Sequence, residues 1–375
     1  MPATSHEAHE VMVNLLWCVP GKVGGSEEYL VRQLLGLAEQ PEQPGRRWNA
    51  TAFVARGLAA AHPELSPAVR MVEPTFHSRS RARRIIGEAT WLRRACVDAS
   101  LVHHGGGTAP LRARRPYVLT VHDLQFRTYP QYFSRLKRAY LSSAIPRSVH
   151  GAAIVTVPSE YVRECVIKAY NAEPAKVMLV PHGIEPALSA DVTPESELRE
   201  LYQLGEGPIV VYPAVTHPHK NHRFLLTLLA QRWTEPDLRL VLIGGVGSAE
   251  HVVASADDRR VLRLGRVSAG HRNGLIAMAD AMVFPSEYEG FGAPLIEAMT
   301  LGSPVICSDA TCMPEVVGGA GLVLPLQLDA WAGALDEART RRVQLVAAGR
   351  RRALAFSSFA SGAALAAAYS KAVAQ

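Results

Sequence analysis

Short apolar runs rich in β-branched residues alternate with longer amphipathic stretches along most of the chain. A strand buried on both faces has a continuously apolar sequence, whereas a helix on the surface of a sheet has one apolar stripe. About eleven or twelve strands are therefore expected, and the candidates are Val11–Trp17, Thr51–Ala55, Leu101–His103, Tyr117–His122, Ala153–Pro158, Lys176–Pro181, Ile209–Tyr212, Leu238–Ile243, Val261–Leu264, Ala281–Pro285 and Pro304–Ser308. The clearest predicted helices are Ser26–Glu39, Ser159–Tyr170, Asn221–Arg232 and Ala293–Leu301.

The alternation of strand and helix predicts parallel sheets with helices on both faces. This number of strands is too large for one doubly wound sheet, and a chain of 375 residues is too long for a single ordinary hydrophobic core. A segment rich in Pro and small residues near Glu185–Thr193 separates two strand–helix series. We therefore predict an amino-terminal domain at 1–187, a second domain at 188–355, and a carboxyl-terminal helix at 356–375 that packs back on the first domain.

The charge of the chain is unevenly distributed. Residues 1–187 carry 23 Lys and Arg against 15 Asp and Glu, and residues 188–375 carry 17 against 19. A basic first half favours a phosphorylated substrate, an anionic membrane surface or nucleic acid as a partner, with an ordinary solvated surface as the alternative. No nucleic-acid-binding motif accompanies the charge, so we expect no nucleic acid partner.

The basic charge is concentrated in one amphipathic stretch, His77–Asp98. Its arginines are Arg79, Arg81, Arg83, Arg84, Arg93 and Arg94. A basic amphipathic helix can lie on an anionic membrane, so peripheral membrane contact through Arg79–Arg94 is one interpretation. The alternative is a surface helix whose apolar stripe covers the core of the first domain.

Three features favour a cytoplasmic protein, with peripheral contact at the inner face of the membrane as an open alternative. The five cysteines are scattered and form no C-x-x-C pair, which argues against a disulfide framework and a structural zinc site. The first apolar run follows Glu7 and Glu10 rather than basic residues, so a secretory signal is not expected. No stretch approaches the roughly 20 apolar residues of a membrane span.

The stretch Ala281–Asp309 predicts a strand, a loop, a helix and a second strand. Its loop carries Glu289, and Gly290-Phe291-Gly292 lets the backbone turn tightly and approach a ligand. The start of the following helix favours an anion such as a diphosphate, through free N–H groups and the helix dipole.

A second carboxylate, Glu297, lies one turn into that helix and can accept two hydrogen bonds from a vicinal diol such as that of ribose. A glutamate before a helix is by itself more often solvated or a cap. The combined pattern E-G-F-G-x-x-x-x-E-A-M, followed by x-x-G-x-P-V, is more specific.

This pattern resembles the E-x7-E signature of retaining glycosyltransferases of family 4. The resemblance runs from about Val11 to Leu326 and is strongest over Tyr212–Leu324. It implies the GT-B fold, in which two Rossmann-like, doubly wound α/β domains face a central cleft. It also implies that Glu297 binds the nucleotide ribose and that Glu289 lies beside the donor sugar and the reacting centre.

Two first-domain stretches resemble further elements of that family. Gly24-Gly25-Ser26-Glu27 resembles its amino-terminal glycine loop, which approaches the donor phosphates or the acceptor. The alternative is an ordinary glycine turn with a Ser cap. His122, in V-H-D-L, resembles the histidine that faces the donor sugar across the cleft, although a histidine at a strand end is more often structural.

The second domain begins with a stretch, Tyr212–His222, that resembles the family's phosphate-binding segment. Lys220 matches its diphosphate lysine, whose ammonium neutralises charge as the nucleoside diphosphate leaves. Many members place an Arg a few residues earlier, and Pro213–Thr216 contains none. Arg266 is the candidate substitute, or a residue that stacks on the base. The glycine-rich Gly244–Ser248 is interpreted as a strand-end loop bordering the donor site.

The resemblance implies hexosyl transfer from a nucleotide sugar to a carbohydrate, lipid-linked or natural-product acceptor, with no metal or other cofactor. The segments H-D-L-Q-F-R-T-Y-P-Q-Y-F-S and P-H-K-N-H resemble mannosyl- or rhamnosyltransferases that use a GDP sugar. A sugar-nucleotide epimerase or hydrolase on this scaffold, and a non-catalytic binding protein, are the alternatives. The acceptor is expected against the loops Arg46–Trp48, His104–Arg115 and Phe126–Lys137.

Overall fold

The computed structural model describes residues 9–41, 48–76, 80–114 and 116–375. Contacts divide the chain into two compact units. The first comprises residues 1–183 together with 357–375, and the second comprises residues 184–356. The predicted boundary at 187/188 lies a few residues farther along the chain than this division.

The first unit contains a seven-stranded sheet in the order β3-β2-β1-β4-β5-β6-β7, and every neighbouring pair is parallel. Its strands are β1 His9–Leu15, β2 Trp48–Val54, β3 Arg70–Val72, β4 Leu101–His104, β5 Tyr117–Thr120, β6 Ile154–Val157 and β7 Val177–Leu179.

The second unit contains a six-stranded parallel sheet in the order β10-β9-β8-β11-β12-β13. Its strands are β8 Ile209–Pro213, β9 Arg239–Ile243, β10 Val261–Gly265, β11 Ala281–Phe284, β12 Val305–Ser308 and β13 Leu322–Leu324. Two doubly wound parallel sheets confirm the predicted α/β class.

The expected eleven or twelve strands fall short of the thirteen that occur in the described residues. The strands missing from the prediction are Arg70–Val72 and Leu322–Leu324. Each lies at a sheet edge and has three residues, too few for an apolar run to stand out from a loop.

Helices connect the strands. Those of the first unit are α1 Gly25–Ala38, α2 Leu58–Ala61, α3 Arg81–Gly87, α4 Arg93–Ala95, α5 Gln125–Thr128, α6 Arg135–Gly151 and α7 Glu160–Tyr170. Those of the second are α8 Glu195–Leu201, α9 His222–Gln231, α10 Glu250–Ala254, α11 Ala269–Met278, α12 Ala293–Leu301, α13 Met313–Val317, α14 Leu328–Ala332, α15 Ala334–Thr340 and α16 Arg342–Ala353. The last helix, α17 Ser358–Val373, belongs to the first unit.

The strand order reverses once in each sheet, between β1 and β4 in the first and between β8 and β11 in the second. At such a point the loops leaving the carboxyl ends of the two central strands run in opposite directions and leave a crevice, which is where doubly wound sheets bind ligands. The two reversals therefore mark the positions in each unit at which a site is expected.

Helix α17 is fixed to the first sheet by a buried polar chain. The hydroxyl of Tyr369 lies 2.8 Å from Nδ1 of His103, and Nε2 of His103 lies 2.7 Å from Oγ1 of Thr120. Burial lowers the pKa of His103 to about 3, so this imidazole stays neutral. Tyr369, His103 and Thr120 thus each have a hydrogen-bond partner inside the core. These bonds attach helix α17 to strands β4 and β5.

The basic stretch forms α3, a π-helical turn at Glu88–Leu92, and α4. Leu92 is buried and Trp91 packs against the same core cluster, so part of the apolar stripe covers the first sheet. Ile86 remains 63% exposed beside the exposed Arg83. Arg79, which the sequence analysis included, lies outside the described residues.

Helices α1 and α17 cross where each has a glycine, and this contact generates a prediction. A Cβ at Gly36 would lie 1.8 Å from the carbonyl oxygen of Ser358, and one at Gly362 would lie 2.0 Å from the carbonyl carbon of Gly36. Gly36→Ala and Gly362→Ala are each expected to lower the free energy of unfolding by about 1–3 kcal/mol, because two backbones must separate. Urea denaturation measures the change.

Gly333→Ala is the matched control, because a Cβ there meets no atom within 4 Å. We expect it to leave stability unchanged or slightly raised. Equal losses in the control and in the two crossing-point variants would contradict the close approach of the helices.

Candidate active site

Lys220 and Glu289 meet at the reversal of strand order in the second sheet. Lys220 ends a short 3-10 turn that follows β8, and Glu289 lies in the loop that follows β11. Nζ of Lys220 lies 2.5 Å from Oε1 of Glu289, with the side chains 18% and 12% exposed. The two residues predicted to act at the donor therefore form one ion pair.

The loop that carries Lys220 is held by buried polar contacts. The hydroxyl of Tyr212 donates to the backbone oxygen of Lys220 at 2.6 Å, and burial raises the pKa of Tyr212 well above its usual value. The phenol therefore stays protonated and remains a donor. The backbone N–H of Glu287 donates to the oxygen of His219 at 2.8 Å, which joins the two loops directly.

A third segment, which follows β12, fixes the backbone of Glu289. The N–H of Glu289 donates to Oγ1 of Thr311 at 3.1 Å, and the thiol of Cys312 lies 3.4 Å from the oxygen of Glu289. Burial raises the pKa of Cys312 well above its usual value, so the thiol stays protonated and can donate. Thr311 has φ +55°, a left-handed conformation that is costly for a β-branched residue.

Glu297 lies in helix α12, which starts directly after the glutamate loop. Gly292 caps this helix with φ +83°, as the predicted tight turn requires, and Pro294 occupies its first turn. The Glu297 side chain is buried, with Nη2 of Arg272 at 3.6 Å from its carboxylate. The two charged groups therefore lie close together in a largely buried position, where the carboxylate oxygens can accept hydrogen bonds.

Arg266 lies against the loop Gly244–Ser248. Arg266 directly follows β10 and the loop follows β9, and these two strands are parallel neighbours. A Cβ at Gly245 would lie 3.1 Å from Nε of Arg266. The same glycine accepts a hydrogen bond from the N–H of Thr216 at 3.3 Å. The guanidinium therefore lies beside the segment from which the arginine found in many family members is missing.

The histidines around Lys220 are neutral. Burial and the Lys220 charge lower the pKa of His219 to about 3 and that of His222 to about 4. His222 is buried, and within the described part of the chain both its ring nitrogens lack a hydrogen-bond partner. At neutral pH Lys220 is thus the residue that brings positive charge to the stretch from 217 to 222.

In the first unit, the predicted glycine loop leads from β1 into α1. Gly24 has φ +59° and ψ −137°, a conformation open essentially to glycine. At the end of β5, Nε2 of His122 donates to the oxygen of Gly105 at 2.7 Å, and burial lowers its pKa to about 4. His122 is therefore a neutral tautomer whose Nδ1 is an acceptor, while its role towards the donor sugar stays a prediction.

Sequence reasoning singled out Lys220, Glu289 and Glu297, whose roles stay predictions, but not the residues that contact them. It did not single out Tyr212, Arg272, Thr311 or Cys312, whose positions depend on which strands are neighbours. Of the predicted loop residues, Phe291 is buried with its ring centroid 5.5 Å from that of Phe356, so its side chain contributes to packing. Gly25 accepts from the ring of His182 at 3.3 Å through its backbone oxygen.

Neither a cluster of metal-ligating side chains nor a membrane-spanning helix occurs among the described residues. No group of three or more His, Cys, Asp or Glu side chains there is placed to hold a metal ion. No helix among these residues has the length and apolar sequence needed to cross a membrane.

Two family profiles match the chain. A profile described as Glycosyltransferase Family 4 matches residues 23–188, and one described as Glycosyl transferases group 1 matches residues 207–341. The first thus covers most of the first unit, including Gly24 and His122, and the second covers Lys220, Glu289 and Glu297.

Curated relatives include mannosyltransferases. The chain is 32% identical over 243 residues to O-antigen chain mannosyltransferase B of Escherichia coli, a match over 61% of this chain and 62% of that protein, less than two thirds of its length. It is 29% identical over 335 residues to the GDP-mannose-dependent alpha-(1-6)-phosphatidylinositol monomannoside mannosyltransferase of Mycolicibacterium smegmatis, which covers 81% of this chain and 82% of the relative.

Solved structures share the fold across nearly the whole chain. Anabaena Alr3699/HepE, in complex with UDP and glucose, has a TM-score of 0.74 at 19% identity, covering 96% of this chain and 99% of that structure. WaaG, a glycosyltransferase involved in lipopolysaccharide biosynthesis, has a TM-score of 0.71 at 16% identity, covering 95% and 98%.

The contacts at Thr311 predict how three substitutions differ. Thr311→Ala removes the acceptor of the Glu289 N–H and keeps the strained backbone, so the free energy of unfolding should fall by about 1–2 kcal/mol. Thr311→Ser keeps the hydroxyl and should stay close to the unsubstituted protein. Thr311→Gly also removes the hydroxyl, but glycine adopts the left-handed conformation without strain. Its free energy of unfolding should therefore fall less than that of Thr311→Ala. Thermal and urea unfolding rank the three variants. If Thr311→Ser lost as much unfolding free energy as Thr311→Ala, the role of the hydroxyl would be contradicted.

Proposed function

The chain belongs to the group 1 glycosyltransferases with the GT-B fold, and we propose that it transfers a hexosyl unit from a nucleotide sugar to an acceptor hydroxyl with retention of configuration. The observation that carries the proposal is the Lys220–Glu289 pair at the reversal of strand order, followed by a helix that presents Glu297. A cation for the leaving diphosphate and two carboxylates for hydroxyl groups are the chemistry that this transfer needs.

The proposed donor is GDP-mannose or a similar GDP sugar. Relatives at about 30% identity are named as mannosyltransferases, and one of them is described as GDP-mannose-dependent. The names of these two relatives also point to a polysaccharide chain or a glycolipid as their acceptors. A carbohydrate or lipid-linked acceptor is therefore the class proposed here, with a natural product as a further candidate.

Lys220 stabilises the departing diphosphate. Its ammonium is compact, carries three donors and lies just before helix α9, while the start of α12 offers backbone N–H groups to the same anion. Arg266, against Gly245, supplies a second cation in place of the arginine missing from Pro213–Thr216. Negative charge that develops on the phosphate oxygen is thereby neutralised without a metal or other cofactor.

The sugar is transferred on the face from which the diphosphate departs. The bond between the anomeric carbon and the phosphate oxygen breaks, the acceptor oxygen bonds to the same carbon, and the acceptor proton passes to the leaving phosphate oxygen. Glu289 positions the donor sugar through the hydroxyl groups of that sugar. A stable glycosyl adduct on Glu289, detected by intact mass, would contradict this scheme and favour a double displacement.

Glu297 binds the ribose diol of the donor nucleotide. The residue is 5% exposed and its carboxylate lies 3.6 Å from Nη2 of Arg272, so its oxygens are held in place as hydrogen-bond acceptors. The two hydroxyl groups of a vicinal diol would donate hydrogen bonds to these oxygens. This residue therefore contributes to binding of the nucleotide rather than to the chemical step.

Peripheral contact with an anionic membrane is the proposed use of the basic surface, with the chain in the cytoplasm. Arg81, Arg83, Arg93 and Arg94 are exposed around the exposed Ile86. Co-sedimentation with vesicles containing anionic lipid tests this. We expect Arg83→Gln with Arg93→Gln to weaken binding by about 2 kcal/mol, and unchanged binding, or none in the unsubstituted protein, would contradict it.

Calorimetric titration with GDP, UDP, ADP and dTDP, without added metal, tests the donor assignment. We expect GDP to bind in the micromolar range and both Lys220→Ala and Glu297→Ala to weaken it at least tenfold, or about 1.4 kcal/mol each. Lys220 would lose its phosphate contact and Glu297 its ribose contact.

Arg83→Gln is the matched control for a lost surface cation, and its affinity for GDP should be unchanged. Tighter binding of another nucleotide would correct the donor. Absence of binding by all four, or no effect of the two site substitutions, would refute the site and favour a non-catalytic protein. Loss of the donor sugar without any acceptor would favour an epimerase or hydrolase.

A further inference from the structure

The glycine loop of the first unit is held by a carboxylate from the helix that follows it. Glu27, in the first turn of α1, accepts a hydrogen bond from the N–H of Gly21 at 3.0 Å through Oε2. Its own N–H donates to the oxygen of Gly24 at 3.0 Å. Glu27 therefore spans the loop and holds both of its ends.

The other oxygen of Glu27 contacts a histidine from a different segment. Nε2 of His62 lies 3.0 Å from Oε1 of Glu27, and Nδ1 of His62 lies 2.8 Å from Oε1 of Glu64. Carboxylates only accept hydrogen bonds, so both ring nitrogens must carry protons and the imidazole is a cation. Glu27 and His62 are both buried, which protects the pair from screening by water.

We propose that Glu27 and His62 are positioning residues for the substrate loop Gly21–Gly25, and that the charged state of His62 keeps this loop in its binding conformation. The inference rests on the proposed function, because the loop has a substrate only if the protein transfers a sugar. Neither residue touches the reacting atoms. They act by fixing the backbone of the loop that would meet the substrate.

Charge balance explains why a histidine cation is needed here. A buried carboxylate without a cation beside it would lose its hydration without compensation, which costs stability. His62 neutralises Glu27 at that point. Loss of the His62 proton would therefore loosen the loop and leave the Glu27 charge buried without a cation.

The groups facing His62 set the pH range of this effect. Glu27 and Glu28 approach from α1 and Glu64 from the 3-10 turn at Pro63–Leu65, and together they raise the pKa of His62 to about 9 against the opposing effect of burial. Cys18, beside Glu27, has its pKa raised by burial and stays a neutral thiol. A pKa raised from 6.5 means that the stabilisation is complete below about 6.5 and is lost as pH rises through about 9.

Nuclear magnetic resonance of protein labelled with nitrogen-15 in histidine and glycine tests the proposal on the unsubstituted chain. The His62 ring should titrate near 9, and the amide signals of Gly21, Gly24 and Gly25 should move with the same midpoint. A His62 ring that titrates near 6.5 would overturn the proposal. Glycine amide signals that do not change with the titration of His62 would also overturn it. This readout requires neither an acceptor nor catalytic turnover.

Glu27→Gln and the matched control Glu28→Gln separate positioning from a general charge effect. Both remove one negative charge from the same helical turn, but the Glu28 side chain is 46% exposed and pairs with Arg32 rather than with the loop. We expect Glu27→Gln to lower kcat/KM about tenfold at pH 8 and to move the alkaline limb of the pH profile towards 6.5, with Glu28→Gln close to the unsubstituted enzyme. Equal effects of the two would overturn the proposal.

Different results would overturn the role of His62 and the proposed function. If the glycine amides follow His62 but no nucleotide binds the second unit, the positioning of the loop is supported and the proposed function is refuted. If nucleotide binds and sugar is transferred, but kcat/KM stays constant between pH 7 and 10, the proposed function holds and the role of His62 is overturned.

Discussion

Parallel strands bring a lysine and a glutamate together at one edge of a sheet, and the rest of the site is organised around that pair. Lys220 and Glu289 are 69 residues apart in sequence, yet β8 and β11 are neighbours because the strand order reverses between them. Loops from the carboxyl ends of both strands therefore meet on the same side. The spacing of the pair follows from the topology of the sheet rather than from any local motif.

Three strands contribute to the rigidity of this pair. Tyr212 at the end of β8 holds the oxygen of Lys220, and Thr311 with Cys312, after β12, hold both backbone groups of Glu289. A buried ion pair gains from good geometry only when its neighbours are also satisfied. The strained Thr311 is consistent with that requirement, since an unfavourable backbone persists where surrounding contacts determine it.

The sequence was sufficient to predict the two parallel α/β sheets and to single out Lys220, Glu289 and Glu297 as candidates, because apolar periodicity and glycine-rich strand ends are local signals. The three-residue edge strands were missed because they carry too little pattern. Arg272 and Thr311 were missed for another reason: their roles depend on which helix and strand lie beside Glu297 and Glu289, and no local pattern encodes that. The same holds for His62, whose partner Glu27 lies in another segment.

The central claim is that Lys220 serves a diphosphate and is balanced by Glu289 until that ligand arrives. The affinity for GDP of Glu289→Gln, measured by calorimetry beside Lys220→Ala, tests it most directly. The account predicts that Glu289→Gln binds GDP as tightly as the unsubstituted protein or more tightly, because a competing carboxylate is gone, while Lys220→Ala binds it more weakly. Equal weakening by both substitutions would contradict the account, since it would mean that the intact pair itself, rather than the lysine, holds the nucleotide.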